Sequence, residues 1–214
     1  MNSYNKWVSS ILKDFLSSLP QGQRYFCIGS VSLLSFTGKN YDRKIKDIDI
    51  ICDLPNFEIV KNRLQKLGYR QYTFVDKKFF FYKQLMKLAE SKYYRFEKDG
   101  KNLEIMTSDF GNSKKEIFVE IYPGIKFSFP ATGIIDSLFK GINFKSVSSA
   151  TLYCIYSLGL KTWGRFVKTR IEQRKTDLDQ LKKIVDKNKL GQIAENIFLQ
   201  IGLFRFKIPT RFIL

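Results

Sequence analysis

The sequence predicts an α+β fold, a mixed β-sheet with flanking helices followed by a helical C-terminal part. Three observations predict it. Helical spacing and short strand-like runs alternate up to Gly68, strand patterns dominate from Gln71 to Gly124, and helical spacing returns beyond Phe144. With 44% hydrophobic residues in 214 and no low-complexity run, the chain can bury one substantial core, or one domain with a smaller appendage. A first domain is expected over residues 1–143 and a helical subdomain over 144–214.

The elements follow in order. Trp7, Val8, Ile11, Leu12, Phe15 and Leu16 recur at helical spacing and predict a helix over 3–18, ended near Pro20-Gln21-Gly22. "RYFCIGS" is a short buried strand closing on Gly29-Ser30, and "VSLLSF" opens a helix. After the polar loop "TGKNYDRK" comes the strand "IKDIDIICD", then a helix over "NFEIVKNRLQKLGY" with Phe57, Val60, Leu64 and Leu67 on one face and Gly68 as its stop. "YYRFEKDGKNLEIMTSD" predicts a hairpin turning at Asp99-Gly100, and "EIFVEIYPG" another strand. Between them "KKFFFYKQLMKLAESK" suits helix or strand equally. Three helical segments close the chain: "SSATLYCIYSLGLK", "RFVKTRIEQRKTDLDQLKKIVDK" and "LGQIAENIFLQIG".

Composition excludes several chemistries. The chain has no histidine, so Ser-His-Asp and Cys-His pairs, histidine bases and histidine-ligated zinc are absent. Cys27, Cys52 and Cys154 lie far apart among apolar neighbours and read as buried thiols of a reducing compartment. No apolar run approaches the roughly 20 residues that span a bilayer, and the N-terminus lacks a secretion layout, so a cytoplasmic protein without membrane partners is expected. A formal charge of +17 favours an anionic partner, nucleic acid or nucleotide above all.

One stretch asks for a chemical explanation. In "KIKDIDIICD" the alternation of a strand puts Asp47 and Asp49 on one face and Ile48, Ile50 and Cys52 on the other. Two like charges about 4 Å apart repel by roughly 4 kcal/mol at an effective dielectric near 20, a cost that a bound divalent cation converts to a gain. Oxygen-only ligands suit Mg²⁺, which takes one or two carboxylates and completes its shell with water and phosphate oxygens. Upstream, Gly29 allows a tight turn after a strand and Ser30 can cap the helix whose N-terminus attracts anions.

Together "IGSVSLLSFTGKNYDRKIKDIDI" resembles the signature of the polymerase-β-like nucleotidyltransferase superfamily: a hydrophobic residue, Gly-Ser, a short helix, then Asp-x-Asp on the next strand. The resemblance is to its small bacterial branch, of abortive-infection or toxin-antitoxin and antibiotic nucleotidyltransferases. The resemblance implies a transfer of NMP from NTP to an acceptor hydroxyl with release of pyrophosphate, helped by two Mg²⁺ ions. It makes Asp47 and Asp49 the metal-binding pair and Gly29 and Ser30 the phosphate-binding pair. A third catalytic and metal-binding acid is expected on a neighbouring strand, with Glu104 chosen and Glu120 as its rival. "VSSATLYCIYSLGLK" followed by "RKTDLDQLKKI" resembles the helical segment of the toxin and antibiotic-modifying branches, which implies Lys161 at the triphosphate and Asp177 as a residue positioning lysine or acceptor. Asp49 or the third acid would accept the hydroxyl proton. From the charge, RNA such as tRNA is preferred as acceptor, with an antitoxin partner in the toxin branch; an antibiotic or protein acceptor, or a non-catalytic nucleic-acid-binding relative, is the alternative.

Overall fold

The computed structural model describes residues 6–38, 44–72, 93–108, 110, 115–122, 125–163, 168–201 and 203–214. Helix α1 (Trp7–Ser18) buries Val8, Ile11, Leu12 and Phe15, the one-sided spacing read above. Strand β1 (Tyr25–Ile28) leads directly into α2 (Gly29–Thr37), and β2 (Asp47–Asp53) returns beside it. Helix α3 (Phe57–Lys66) buries Phe57, Val60 and Leu64. It ends on Gly68 at φ +90°, where Gly68 N–H reaches the Gln65 carbonyl and Tyr69 N–H the Leu64 carbonyl, a Schellman closure.

Next come β3 (Arg70–Tyr72), β4 (Tyr93–Lys98) and β5 (Lys101–Ser108). The β4–β5 hairpin turns on Asp99 and Gly100 at φ +52° and +68°, the left-handed pair that a two-residue turn demands. Four further strands, β6 (Glu116–Tyr122), β7 (Ile125–Pro130), β8 (Ile134–Phe139) and β9 (Ile142–Val147), precede helices α4 (Ser149–Trp163), α5 (Lys168–Ile184) and α6 (Lys187–Ala194). Asp186 caps α6 by accepting from Asn188 N–H and Lys189 N–H. The chain closes with β10 (Phe198–Ile201) and β11 (Phe204–Lys207).

The strands form two sheets. The larger runs β3-β4-β5-β2-β1-β9-β8, with β2–β5 and β1–β9 parallel and its other neighbours antiparallel. The smaller runs β11-β10-β7-β6 and is antiparallel throughout. Helices α4 and α5 pack together and both contact α2, while α1 packs on α3. The architecture is the expected α+β one, a mixed sheet with flanking helices.

Several expectations change. "LGQIAENIFLQIG" is not one helix: α6 stops at Ala194, and Phe198–Ile201 pairs with β7 as a strand. Its apolar residues fit helical spacing, yet the sheet offers them a partner, and tertiary pairing prevails over local pattern. Strands β7, β8 and β9 were not anticipated, and the expected domain boundary at 143/144 falls inside β9. The ambiguous segment "KKFFFYKQLMKLAESK" and the first residues of the expected opening helix lie outside the described residues. Among the described residues no helix is long and apolar enough to cross a membrane.

Candidate active site

The site is organised by β2, the central strand of the larger sheet. Ile48, Ile50, Ile51 and Cys52 are buried, whereas Asp47 and Asp49 are only half-buried. Each buried isoleucine contributes about 1.5–3 kcal/mol relative to an exposed one, enough to pin the strand so that its acids keep a fixed face. Their alternation is as the sequence predicts.

Strand register assembles the rest. Asp49 stands opposite Ile28 on antiparallel β1 and opposite Glu104 on parallel β5. Asp47 pairs with Asn102, and Arg95 on β4 pairs with Glu104. In a sheet, residues in register share a face. One row therefore crosses four strands as Ile28, Asp49, Glu104 and Arg95, with Asp47 one step along on the same face.

Gly29 adjoins this row through a close approach. It begins α2 at φ +68°, a conformation that L side chains rarely adopt, and a Cβ placed there would lie 2.5 Å from Asp49 Oδ2. The Asp49 carboxylate thus rests against the first residue of α2, where helical N–H groups lack intrahelical partners. Ser30 takes a different part from the one expected. The cap position is Ile28, in extended backbone and with no side-chain hydrogen bond, and Ser30 is already inside the helix, buried at its second residue. The strand runs into the helix one residue earlier than the Gly-Ser pattern suggests, because Gly29 can itself supply the turn.

The third acid has two candidates at different places. Glu104 lies on the strand hydrogen-bonded to β2, next to Asp49. Glu120 lies on β6, in the smaller sheet, and its side chain is outside the described residues. Glu104 is engaged by Arg95, which donates from Nε at 2.9 Å and from a terminal nitrogen at 2.5 Å, both to Oε1. Sequence reading missed Arg95, although a two-residue turn at Asp99-Gly100 pairs Lys98 with Lys101 and so, three steps out, Arg95 with Glu104.

Lys161 falls on α4, with its side chain outside the described residues. Asp177 is buried on α5, in the helical layer that packs on α2 rather than in the sheet. Burial pushes the Cys27 thiol far above its ordinary value, with the nearby Asp49 charge adding to the effect. The thiol beside the acid row is therefore no nucleophile. At the other end of β1 a cavity of about 460 Å³ opens among residues that include Arg24, Tyr25, Phe110, Ile134 and Lys145. It shares no residue with the acid row.

Among the described residues no three His, Cys, Asp or Glu side chains form a cluster that could hold a metal ion. Asp47 and Asp49 nevertheless fit a divalent cation of the Mg²⁺ kind, which takes one or two carboxylates and completes its shell elsewhere. The donor set here is all oxygen.

No protein-family model matches the chain, and no curated protein shows significant similarity to it. Solved structures do share the fold. The lincosamide antibiotic adenylyltransferase LnuA, bound to lincomycin, aligns with a TM-score of 0.57 at 18% identity over 84% of this chain and 97% of that one. The antibiotic-resistance factor ANT(2'')-Ia aligns in its solution structure with a TM-score of 0.57 at 12% identity, over 87% of this chain and 88% of that one. Its crystal structure in complex with adenylyl-2''-tobramycin gives 0.56 at 13% identity, over 85% and 91%. In each case the likeness is one of fold.

Proposed function

We propose that this chain is a nucleotidyltransferase that moves an NMP group from a nucleoside triphosphate to a hydroxyl of a small-molecule acceptor of the antibiotic kind. The observation that carries it is the contact between Asp49 and Gly29. It sets the acid pair of β2 against the first residue of α2, and in this reading cation ligands and a phosphate seat at the helix N-terminus adjoin. Asp47 and Asp49 would hold Mg²⁺, which when bound supplies electrostatic stabilisation to the phosphoryl oxygens. The first N–H groups of α2, at Gly29 and Ser30, orient the phosphates, and Asp49 or Glu104 accepts the hydroxyl proton. Lys161 and Asp177, from the helical layer, complete the nucleotide cleft in this reading.

The acceptor shifts from the RNA first expected. Similarity in fold to enzymes captured with lincomycin and with adenylyl-tobramycin supports a small acceptor. A chain of charge +17 repels a polycation, so the preferred acceptor bears hydroxyl groups and little positive charge. The same charge sustains a second reading, transfer to tRNA, with an antitoxin as partner.

The test is incubation with each α-labelled NTP, Mg²⁺ and either lincomycin, tobramycin or total tRNA, followed by chromatography. Label in a small acceptor, lost on chelation and reduced at least about 100-fold in Asp47→Asn and Asp49→Asn, is expected. Label confined to tRNA selects the second reading. No transfer in any combination, or transfer undiminished by both substitutions, refutes the proposal.

A further inference from the structure

Glu104 stands between neighbours of opposite sign, Asp49 in register on β2 and Arg95 in register on β4. Two Arg95 donors meet one oxygen, Oε1, while Oε2 takes no hydrogen bond among the described residues. The side chains are 37% and 24% exposed, and an ion pair so placed adds little to stability. What two donors on one oxygen do provide is direction. A glutamate has three rotatable bonds, and on a face shared with two aspartates its unrestrained carboxylate swings away from like charge. Fixing Oε1 toward β4 leaves Oε2 as the oxygen free to react.

We propose that Arg95 is the positioning residue of Glu104, holding Oε1 so that Oε2 meets the acceptor hydroxyl; this rests on the nucleotidyltransferase reading above. Oε2 takes the hydroxyl proton as the acceptor oxygen bonds to the α-phosphorus. The bond from that phosphorus to the bridging oxygen breaks, pyrophosphate leaves with the electron pair, and Glu104 later gives its proton to solvent. Arg95 itself exchanges no proton and touches no reacting atom.

The experiment measures kcat and KM with labelled NTP, Mg²⁺ and whichever of lincomycin, tobramycin or total tRNA takes label. Arg95→Met is expected to lower kcat about 10- to 100-fold, the scale of a misplaced catalytic group, with KM for the nucleotide within about threefold of wild type. Arg95→Lys recovers part of the loss, since one ammonium can still meet Oε1. In a Glu104→Gln background Arg95→Met costs nothing further, because the carboxylate it acts through is gone. Should Arg95→Met fail to fold by circular dichroism, Arg95→Lys in both backgrounds carries the same comparison. An active wild type with a fully active Arg95→Met, or losses that multiply in the double variant, overturns the role of Arg95 alone. An inactive wild type overturns it together with the functional reading.

Discussion

Replacing Gly29 by alanine tests the contact on which the site is built. A residue with a side chain at φ +68° is held in left-handed backbone, at roughly 1–2 kcal/mol. The new Cβ also meets Asp49 Oδ2 at 2.5 Å, so the carboxylate must leave its rotamer, at about 0.5–1.5 kcal/mol. The sum is about 1.5–3.5 kcal/mol, a fall in Tm of about 3–14 °C at roughly 2–4 °C per kcal/mol for a chain of this size. Gly22 is the internal control, since it has φ +79° but an added Cβ there would find none of the described residues within 4 Å. Gly22→Ala bears the backbone cost alone, about 1–2 kcal/mol, and leaves Asp49 in place. Thermal melts monitored by circular dichroism, with nucleotidyl transfer measured in parallel, separate the two. Gly29→Ala should melt below Gly22→Ala and lose transfer, while Gly22→Ala keeps it. If Gly29→Ala melts no lower than the control and transfers normally, the close approach is not what fixes Asp49.

Other consequences are open to simple measurements. Asp53, 3% exposed, accepts from Arg24 at 2.7 Å and from Phe110 N–H at 3.0 Å. Because Arg24 is itself 45% exposed, Asp53→Asn should cost only about 1–3 kcal/mol in urea unfolding, less than a fully buried pair, with transfer retained. All three cysteines are buried, and burial pushes Cys52 and Cys154 up to about 12, so the native protein at pH 8 should not react with a thiol reagent within minutes and should titrate three thiols once denatured. Burial likewise raises Tyr25 to about 12. These groups hold their protons more tightly when folded, so their stabilising effect is complete below their ordinary values of 9–10 and is lost as pH rises through about 12. Urea midpoints falling steadily between pH 9 and 12 are expected, and a flat profile would contradict the burial.

The legible parts of the fold share a physical trait. Helices α1 and α3 and the β4–β5 hairpin are specified by local spacing, a stop glycine and an Asp-Gly turn, all contained within a few residues. Strands β8 and β9 are equally regular, but they turn on Lys140-Gly141, at φ +50° and +75°, a pair whose first member is no habitual turn former. Strand β10 depends on a distant partner and carries no local mark of it. In the candidate site, the shared face of Asp47 and Asp49 and the turn at Gly29 are legible because a two-residue alternation and a glycine after a strand are local patterns. Choosing between Glu104 and Glu120 requires knowing which strand lies beside β2, and pairing between strands far apart in sequence leaves no trace in either strand's own pattern.

The smaller sheet joins segments made at very different moments of synthesis. Phe198 pairs with Ser128, about 70 residues earlier, so at roughly 5–20 residues per second β7 waits several seconds for the strand that covers its edge. Throughout that interval the nascent hairpin of β6 and β7 presents an open edge carrying Phe127 and Phe129, the kind of surface on which neighbouring chains pair wrongly. Once β11 arrives the edge is a different one, where Arg205 and Lys207 alternate with Phe204 and Phe206 and their charge discourages further addition. Slowing translation between residues 130 and 198 should therefore lengthen the vulnerable period and lower the soluble yield, without altering the finished fold.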